Sequence, residues 1–122
     1  MIKATSIWMV ANGTFDTTLN ADGFPSRGNF GNSFLKISPA GGKLSVADYF
    51  TMFDVDAENA VDPDLGAGGP VVLPDMTEAA GKIRRLAVGS GKDRNIYLVN
   101  RAAMGKFNLQ GISTFIRNFP RR

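Results

Sequence analysis

One local pattern occurs twice in this chain: apolar strand, turn, strand, glycine turn, strand. The clearer copy runs Leu86-Ala87-Val88-Gly89, a tight polar turn through Ser90-Gly91-Lys92-Asp93-Arg94, then Asn95-Ile96-Tyr97-Leu98-Val99-Asn100 and, past Met104, Gly105-Lys106-Phe107. Short apolar runs bounded by turn residues are the signature of strands, because a buried strand needs few residues and its connections need glycine or polar side chains. Leu35-Lys36-Ile37-Ser38 aligns with Tyr97-Leu98-Val99-Asn100, and Gly42-Lys43-Leu44 with Gly105-Lys106-Phe107. The earlier copy, Ile7 to Leu44, carries a long insertion from Thr14 to Gly31.

Ser6-Ile7-Trp8-Met9-Val10-Ala11 is continuously apolar after its serine, which predicts a strand covered on both faces, with Trp8 in the core. Asn32–Ser38 and Leu44–Phe50 alternate, and Pro39-Ala40-Gly41-Gly42 between them is a hairpin turn, so the two should pair antiparallel. In Leu44–Phe50 the alternation sets Leu44, Val46, Asp48 and Phe50 against Ser45, Ala47 and Tyr49. Thr51 to Leu65 reads as an acidic connector, Pro70–Leu73 as a strand, Met76–Lys82 as a polar excursion, and Lys106 as the start of a further strand. Ile112, Phe115, Ile116 and Phe119 are spaced i, i+3, i+4, i+7, which predicts a short amphipathic helix near the C-terminus, with an unordered end as the alternative. An up-and-down β unit in repeat implies blades of a propeller, a fold that closes only with more copies than this chain holds. The expected fold is therefore all-β: two antiparallel blade-like sheets of an incomplete β-propeller, blade one at about 6–53 and blade two at about 66–108, followed by a divergent tail at 109–122.

Chemistry is bounded by what is missing. Cysteine and histidine are both absent from the 122 residues, which removes disulfides, thiolate nucleophiles, cysteine-ligated metals and the usual general base near neutral pH. The chain on its own does not read as an autonomous enzyme. Apolar residues make up 43% and charged residues 20%, ordinary for a globular domain, and no apolar run is long enough to cross a bilayer as a helix. The N-terminus lacks the apolar core of a signal peptide, so the expectation is a cytosolic chain, or an exported one, periplasmic or extracellular, whose signal lies on sequence outside this one. Net charge is only +3 but unevenly placed: eight acids and no Lys or Arg between Ser45 and Ala80, then ten basic residues and one acid from Lys82 to Arg122. Apart from Arg84-Arg85 and Arg121-Arg122 the basic residues are scattered singly, as on a solvated face, so nucleic acid is the least favoured partner.

GNSFLKISPAGGKLSVADYFTMF, DPDLGAGGPVVLPD and LAVGSGKDRNIYLVNRAAMGKFN resemble segments of bacterial quinoprotein-type β-propellers, the PQQ-binding-like repeat proteins, over roughly Ile7 to Asn108. The resemblance implies a propeller repeat. For a full-length parent it also implies the option of PQQ with calcium as cofactor, as in alcohol and glucose dehydrogenases, or else a non-catalytic scaffold. That family's calcium set of Glu, Asn and Asp and its catalytic Asp map onto no positions here, and its tryptophan after the glycine turn is replaced by Leu44 and Phe107. The expected role is a non-catalytic repeat segment acting as a scaffold or binding module, with a fragment of a PQQ-dependent oxidoreductase as the alternative. Its expected partners are missing propeller blades or a second copy, or else a protein or carbohydrate.

Three local features invite sharper readings. Asp54, Asp56, Glu58, Asp62 and Asp64 offer oxygen ligands for calcium, but Asn59 stands where an EF-hand has glycine and Leu65 where it has glutamate, so a solvated connector is the stronger reading. Gly89-Ser90-Gly91-Lys92-Asp93 lacks the first glycine and the Ser/Thr of a phosphate loop and is followed by a strand, which leaves a β-turn. The Thr14–Gly31 loop is long for a compact domain, and long loops are favoured binding sites; its polar candidates are Asp16, Asn20, Asp22, Arg27 and Asn29.

Overall fold

A computed structural model of the protein describes residues 4–61, 68–92, 94–108 and 115–118. The elements in order are β1 (Ser6–Met9), β2 (Ser33–Ser38), β3 (Ser45–Thr51), α1 (Val55–Val61), β4 (Val71–Val72), β5 (Met76–Thr77), β6 (Ile83–Arg84), β7 (Leu86–Ser90), β8 (Asn95–Asn100) and β9 (Phe115–Asn118). They form an all-β architecture with one short helix. Sheet 1 has the order β1-β2-β3, sheet 2 the order β4-β7-β8-β9, and β5 with β6 makes a separate two-stranded ribbon. Every strand pair within these sheets is antiparallel.

The two hairpins follow from their turns. Between β2 and β3, Gly41 and Gly42 both sit at positive φ, 75° and 74°, a region that costs a Cβ-bearing residue strain. Between β7 and β8 the reversal uses Arg94 at φ 67°, whose N–H donates to the Gly91 carbonyl. Sheet 1 also contains a bulge. Lys36 pairs with Asp48 but Ile37 pairs with Val46, so Ala47 drops out of register. An extra residue reverses the facing of the strand at that point. Val46 therefore lies on the same side as Ile37, whereas Asp48 and Phe50 lie on the side of Lys36 and Phe34. This corrects the simple alternation expected of Leu44–Phe50.

The two sheets pack face to face. On the inner side of sheet 1, Met9, Phe34 and Phe50 are cross-strand neighbours. Phe34 and Phe50 meet Tyr97 of sheet 2 at ring-centroid distances of 6.2 and 5.8 Å. Phe34, Tyr97, Val99, Met104 and Met52 are all buried in one cluster. Contact is close enough that Gly89 is required: a Cβ there would lie 2.5 Å from Met9 Sδ and 2.8 Å from the Phe34 ring. Polar links seal the margin, with Lys36 Nζ donating to the Arg101 carbonyl at 2.9 Å and the Met104 N–H donating to Asp48 Oδ2 at 2.9 Å.

Past β8 the chain leaves sheet 2 and returns to sheet 1. The Lys106 N–H donates to the Tyr49 carbonyl at 2.8 Å, and the Thr51 N–H donates to the Lys106 carbonyl at 3.3 Å, making a parallel bridge between Phe50 and Lys106. Lys106 thus does not begin a further strand of its own unit, as its alignment suggested. Its φ of 56° turns it onto the edge of β3. The place beside β8 is taken by β9, through pairs such as Tyr97 with Ile116 and Leu98 with Phe115. The helix expected over Ile112 to Phe119 is therefore wrong where the structure describes it, at 115–118; the remaining residues of that segment lie outside the described ones. An edge of β8 with free N–H and C=O groups rewards a partner strand, whereas one turn of isolated helix has too few hydrogen bonds to offset its nucleation. The stretches around Ile37 and Val99 occupy inner strands of separate, stacked sheets.

Trp8 also departs from expectation. It is 59% exposed, because β1 is an edge strand with only one face against sheet 2. Its indole N–H donates to Ser6 Oγ at 2.9 Å, so the polar end is satisfied locally.

Candidate functional site

The Thr14–Gly31 excursion is a folded arch. Its two limbs are bridged at Phe15 with Phe30 and at Leu19 with Pro25, and closed by backbone bonds from Gly31 N–H to the Thr14 carbonyl and from Ser26 N–H to the Thr18 carbonyl. Gly31 is needed there, since a Cβ would run into the Gly13 carbonyl. Three of the five polar residues expected to bind a ligand serve as internal staples. Asp16 Oδ2 accepts from the N–H groups of Arg27 and Asn29, and Asp16 Oδ1 accepts from Asn29 Nδ2. Asn20 Oδ1 accepts from the N–H groups of Asp22 and Phe24. The hydrogen bond from the Asn29 side chain, with the two backbone donors, holds the Asp16 carboxyl below the usual carboxylate range. Asp22 and Arg27 are exposed, Asp22 near the tip and Arg27 on the return limb. An open polar hollow of about 300 Å³ lies between the limbs, lined by Phe15, Asp16, Thr17, Thr18, Ser26 and Arg27.

The arch is anchored through Tyr49. Phe15, Phe24 and Phe30 surround that ring at 6.0, 5.6 and 5.2 Å, and Tyr49 Oη donates to the Gly23 carbonyl at 2.7 Å. Burial pushes the Tyr49 phenol up to about 12, helped by the negative charge of Asp48 and opposed by a backbone hydrogen bond from Phe107. Lys106 Nζ sits 5.0 Å from the centre of the Phe24 ring, and Phe107 meets Phe15 at 5.3 Å. The arch therefore covers one end of the outer face of sheet 1.

The other end of that face is open. Trp8, Val10, Leu35, Ile37, Leu44, Ser45 and Val46 line a shallow groove of about 350 Å³, and Ser45 is its only polar residue. Leu44 is 73% exposed. An incomplete propeller is expected to leave an apolar blade face exposed, but assigning Trp8 to the core and missing the bulge at Ala47 left this surface unplaced. A signal was present in β2, where Phe34 and Leu35 are both apolar on what should be opposite faces.

The acidic stretch is not a loop throughout. Asp56 and Glu58 lie within α1 and Asp54 just before it, while Asp62 and Asp64 fall outside the described residues. Asn59 Oδ1 of α1 accepts from the Gly13 N–H at 3.2 Å, tying the helix to the start of the arch. A quinone–calcium pair of the kind implied by the resemblance needs converging oxygen donors. Among the described residues no three His, Cys, Asp or Glu side chains are grouped to hold a metal ion, so their donor set does not fit such a site. The basic segment is partly neutralised: Arg84 pairs with Glu78, and Arg85 and Arg101 both pair with Asp75. No described helix is long and apolar enough to cross a membrane. Compared with protein-family models, curated proteins and solved structures, the chain matches none.

Proposed function

We propose that the chain is a non-catalytic repeat segment, a scaffold or binding module that works by having its open sheet face covered by another layer. One observation carries this reading: the outer face of sheet 1 presents Trp8 and Leu44 to solvent beside Leu35, Ile37 and Val46, with no charged side chain lining the groove. Contiguous apolar surface on a small domain marks a place of contact, because each exposed methyl group is costly in water until a partner removes it. The arch, stapled by Asp16 and Asn20, is rigid enough to bound one side of that contact. The chain contains no histidine or cysteine, and among the described residues no three carboxylates are grouped to hold a metal ion.

Trp8 is the sole tryptophan and sits in the groove, so its emission reports on coverage directly. As protein concentration rises, its emission should shift to the blue and become shielded from a water-soluble quencher. An environment-sensitive apolar dye should bind the dilute chain and lose that binding in Leu44→Glu. Dye binding and Trp8 emission that are indifferent to Leu44→Glu and to concentration would sink the proposal.

A further inference from the structure

The polar hollow of the arch differs in chemistry from the groove on sheet 1 and shares no lining residue with it. Its volume of about 300 Å³ stands at the small end of ligand sites, which run to about 1,000 Å³. Buried Phe15 is the one apolar residue of the lining. Thr17, Thr18, Ser26 and Arg27 are exposed, and among the described residues their side chains make no hydrogen bond or ion pair with the chain. Arg84, Arg85 and Arg101, by contrast, each pair with a carboxylate. Asp16 is already committed to the arch. Its two oxygens accept from the Arg27 and Asn29 backbone N–H groups and from Asn29 Nδ2, and the Arg27 guanidinium acts on it through charge alone. The hollow thus presents one planar cation and three hydroxyls on limbs that are stapled without them.

We propose that this hollow binds a hydroxylated carboxylate of monosaccharide size, a uronic acid, with the Arg27 guanidinium on the carboxylate and the hydroxyls of Thr17, Thr18 and Ser26 on the ring hydroxyls. The guanidinium fork matches the two oxygens of a carboxylate. A serine or threonine hydroxyl both donates and accepts, as a sugar hydroxyl does. Other ligands leave part of the hollow unmet. A neutral sugar gives the guanidinium no counter-charge, and acetate leaves the three hydroxyls to water. Phosphate fills little of the volume and brings a second negative charge beside Asp16, where a single one costs less. A divalent cation meets the charge of Arg27 and a carboxylate already bonded three times. A nucleobase finds no open ring to stack on, since Phe15 is buried. The limbs are fixed before the ligand arrives, so binding orders no loop, but one charged contact in an open hollow gives an affinity that is only roughly millimolar. This site stands independently of what covers sheet 1.

Titration of the full chain with sodium glucuronate, followed by amide NMR, tests the site, with glucose, acetate and inorganic phosphate as parallel arms. Glucuronate should give saturable shifts centred on Thr17, Thr18, Ser26 and Arg27, with an affinity about tenfold above that of any other arm. Arg27→Gln should weaken glucuronate by about tenfold and leave the rest of the spectrum in place, because the bond to Asp16 comes from the Arg27 backbone N–H, which the substitution keeps. Arg27→Lys retains the charge without the fork and should fall between the two. Thr18→Val should weaken glucuronate several-fold and leave acetate unchanged, which decides the matter if Arg27→Gln disturbs the arch. No saturable shift at tens of millimolar glucuronate, or an affinity indifferent to both Arg27→Gln and Thr18→Val, overturns the site. Acetate or phosphate bound as tightly as glucuronate overturns the sugar-acid assignment by showing a plain anion site. Glucose bound as tightly overturns the role given to Arg27.

Discussion

The two faces of sheet 1 are built from alternate residues of the same strands, yet they live in opposite conditions. Phe34 is 0% exposed against Tyr97 and Gly89, while Trp8, paired with Leu35 on the groove side, is 59% exposed. Inside, fit is tight enough that a single added carbon at Gly89 collides with two neighbours. Outside, Leu44 and Trp8 are mostly exposed to water. The difference separates residues that hold this chain together from residues available to hold it to something else.

The sharpest way to break the comparison is Phe34→Ala, which should cost about 3–5 kcal/mol through lost burial and the cavity left between the sheets. Chemical denaturation should show that loss, and a cost below about 1 kcal/mol would mean the sheets do not pack as described. Gly89→Ala comes next. Its Cβ meets Met9 Sδ and the Phe34 ring, so overpacking should cost about 1–3 kcal/mol, partly relieved in the double variant with Met9→Ala. Third is pH. The Tyr49 phenol titrates near 12 in the folded chain and near 10 unfolded, so the folded form holds the proton longer. Stability from this source is complete below pH 10 and is lost as pH rises from 10 to 12, by about 1–2 kcal/mol after allowing for solvent screening. Tyr49→Phe should flatten that alkaline decline, at a cost near neutral pH of about 1 kcal/mol for the Oη–Gly23 hydrogen bond. Smallest is the outer face, where Leu44→Ser should change stability by no more than about 0.5 kcal/mol. It should nevertheless abolish dye binding, and that split between stability and binding is what the comparison demands.

What the sequence made legible follows the same division. The β2–β3 and β7–β8 hairpins could be read because their signals are local: apolar strands on either side of a turn rich in glycine and polar residues, with Gly41 and Gly42 supplying the positive φ in the first and Arg94 in the second. Residues whose fate depends on distant partners could not. Trp8 sits in an apolar run that looks doubly covered, but its exposure is decided by which strands flank β1. The 115–118 segment has helical spacing, yet the open edge of β8 claims it as a strand. Lys106 aligned with Lys43 by neighbouring residues alone, while the actual partner of its backbone is Tyr49, more than fifty residues earlier. Among the candidate binding residues, Asp16, Asn20 and Asn29 have a conformational role that their spacing in the sequence does not display: they bond groups within the arch. Short polar side chains that bond nearby N–H groups are what allow a long connection to keep one shape.

The return of residues 104–107 to β3 also fixes the order in which the molecule can be completed. As the chain emerges during synthesis, the β1–β2–β3 hairpins are available early, but their outer rung, Lys106, and the buried Met104 appear only after all of β7 and β8. The first-made sheet must wait, with its β3 edge and aromatic side chains unprotected, for residues 104–107, which follow β8. Such late, long-distance closure slows folding and lengthens the interval in which neighbouring nascent chains can pair with that edge.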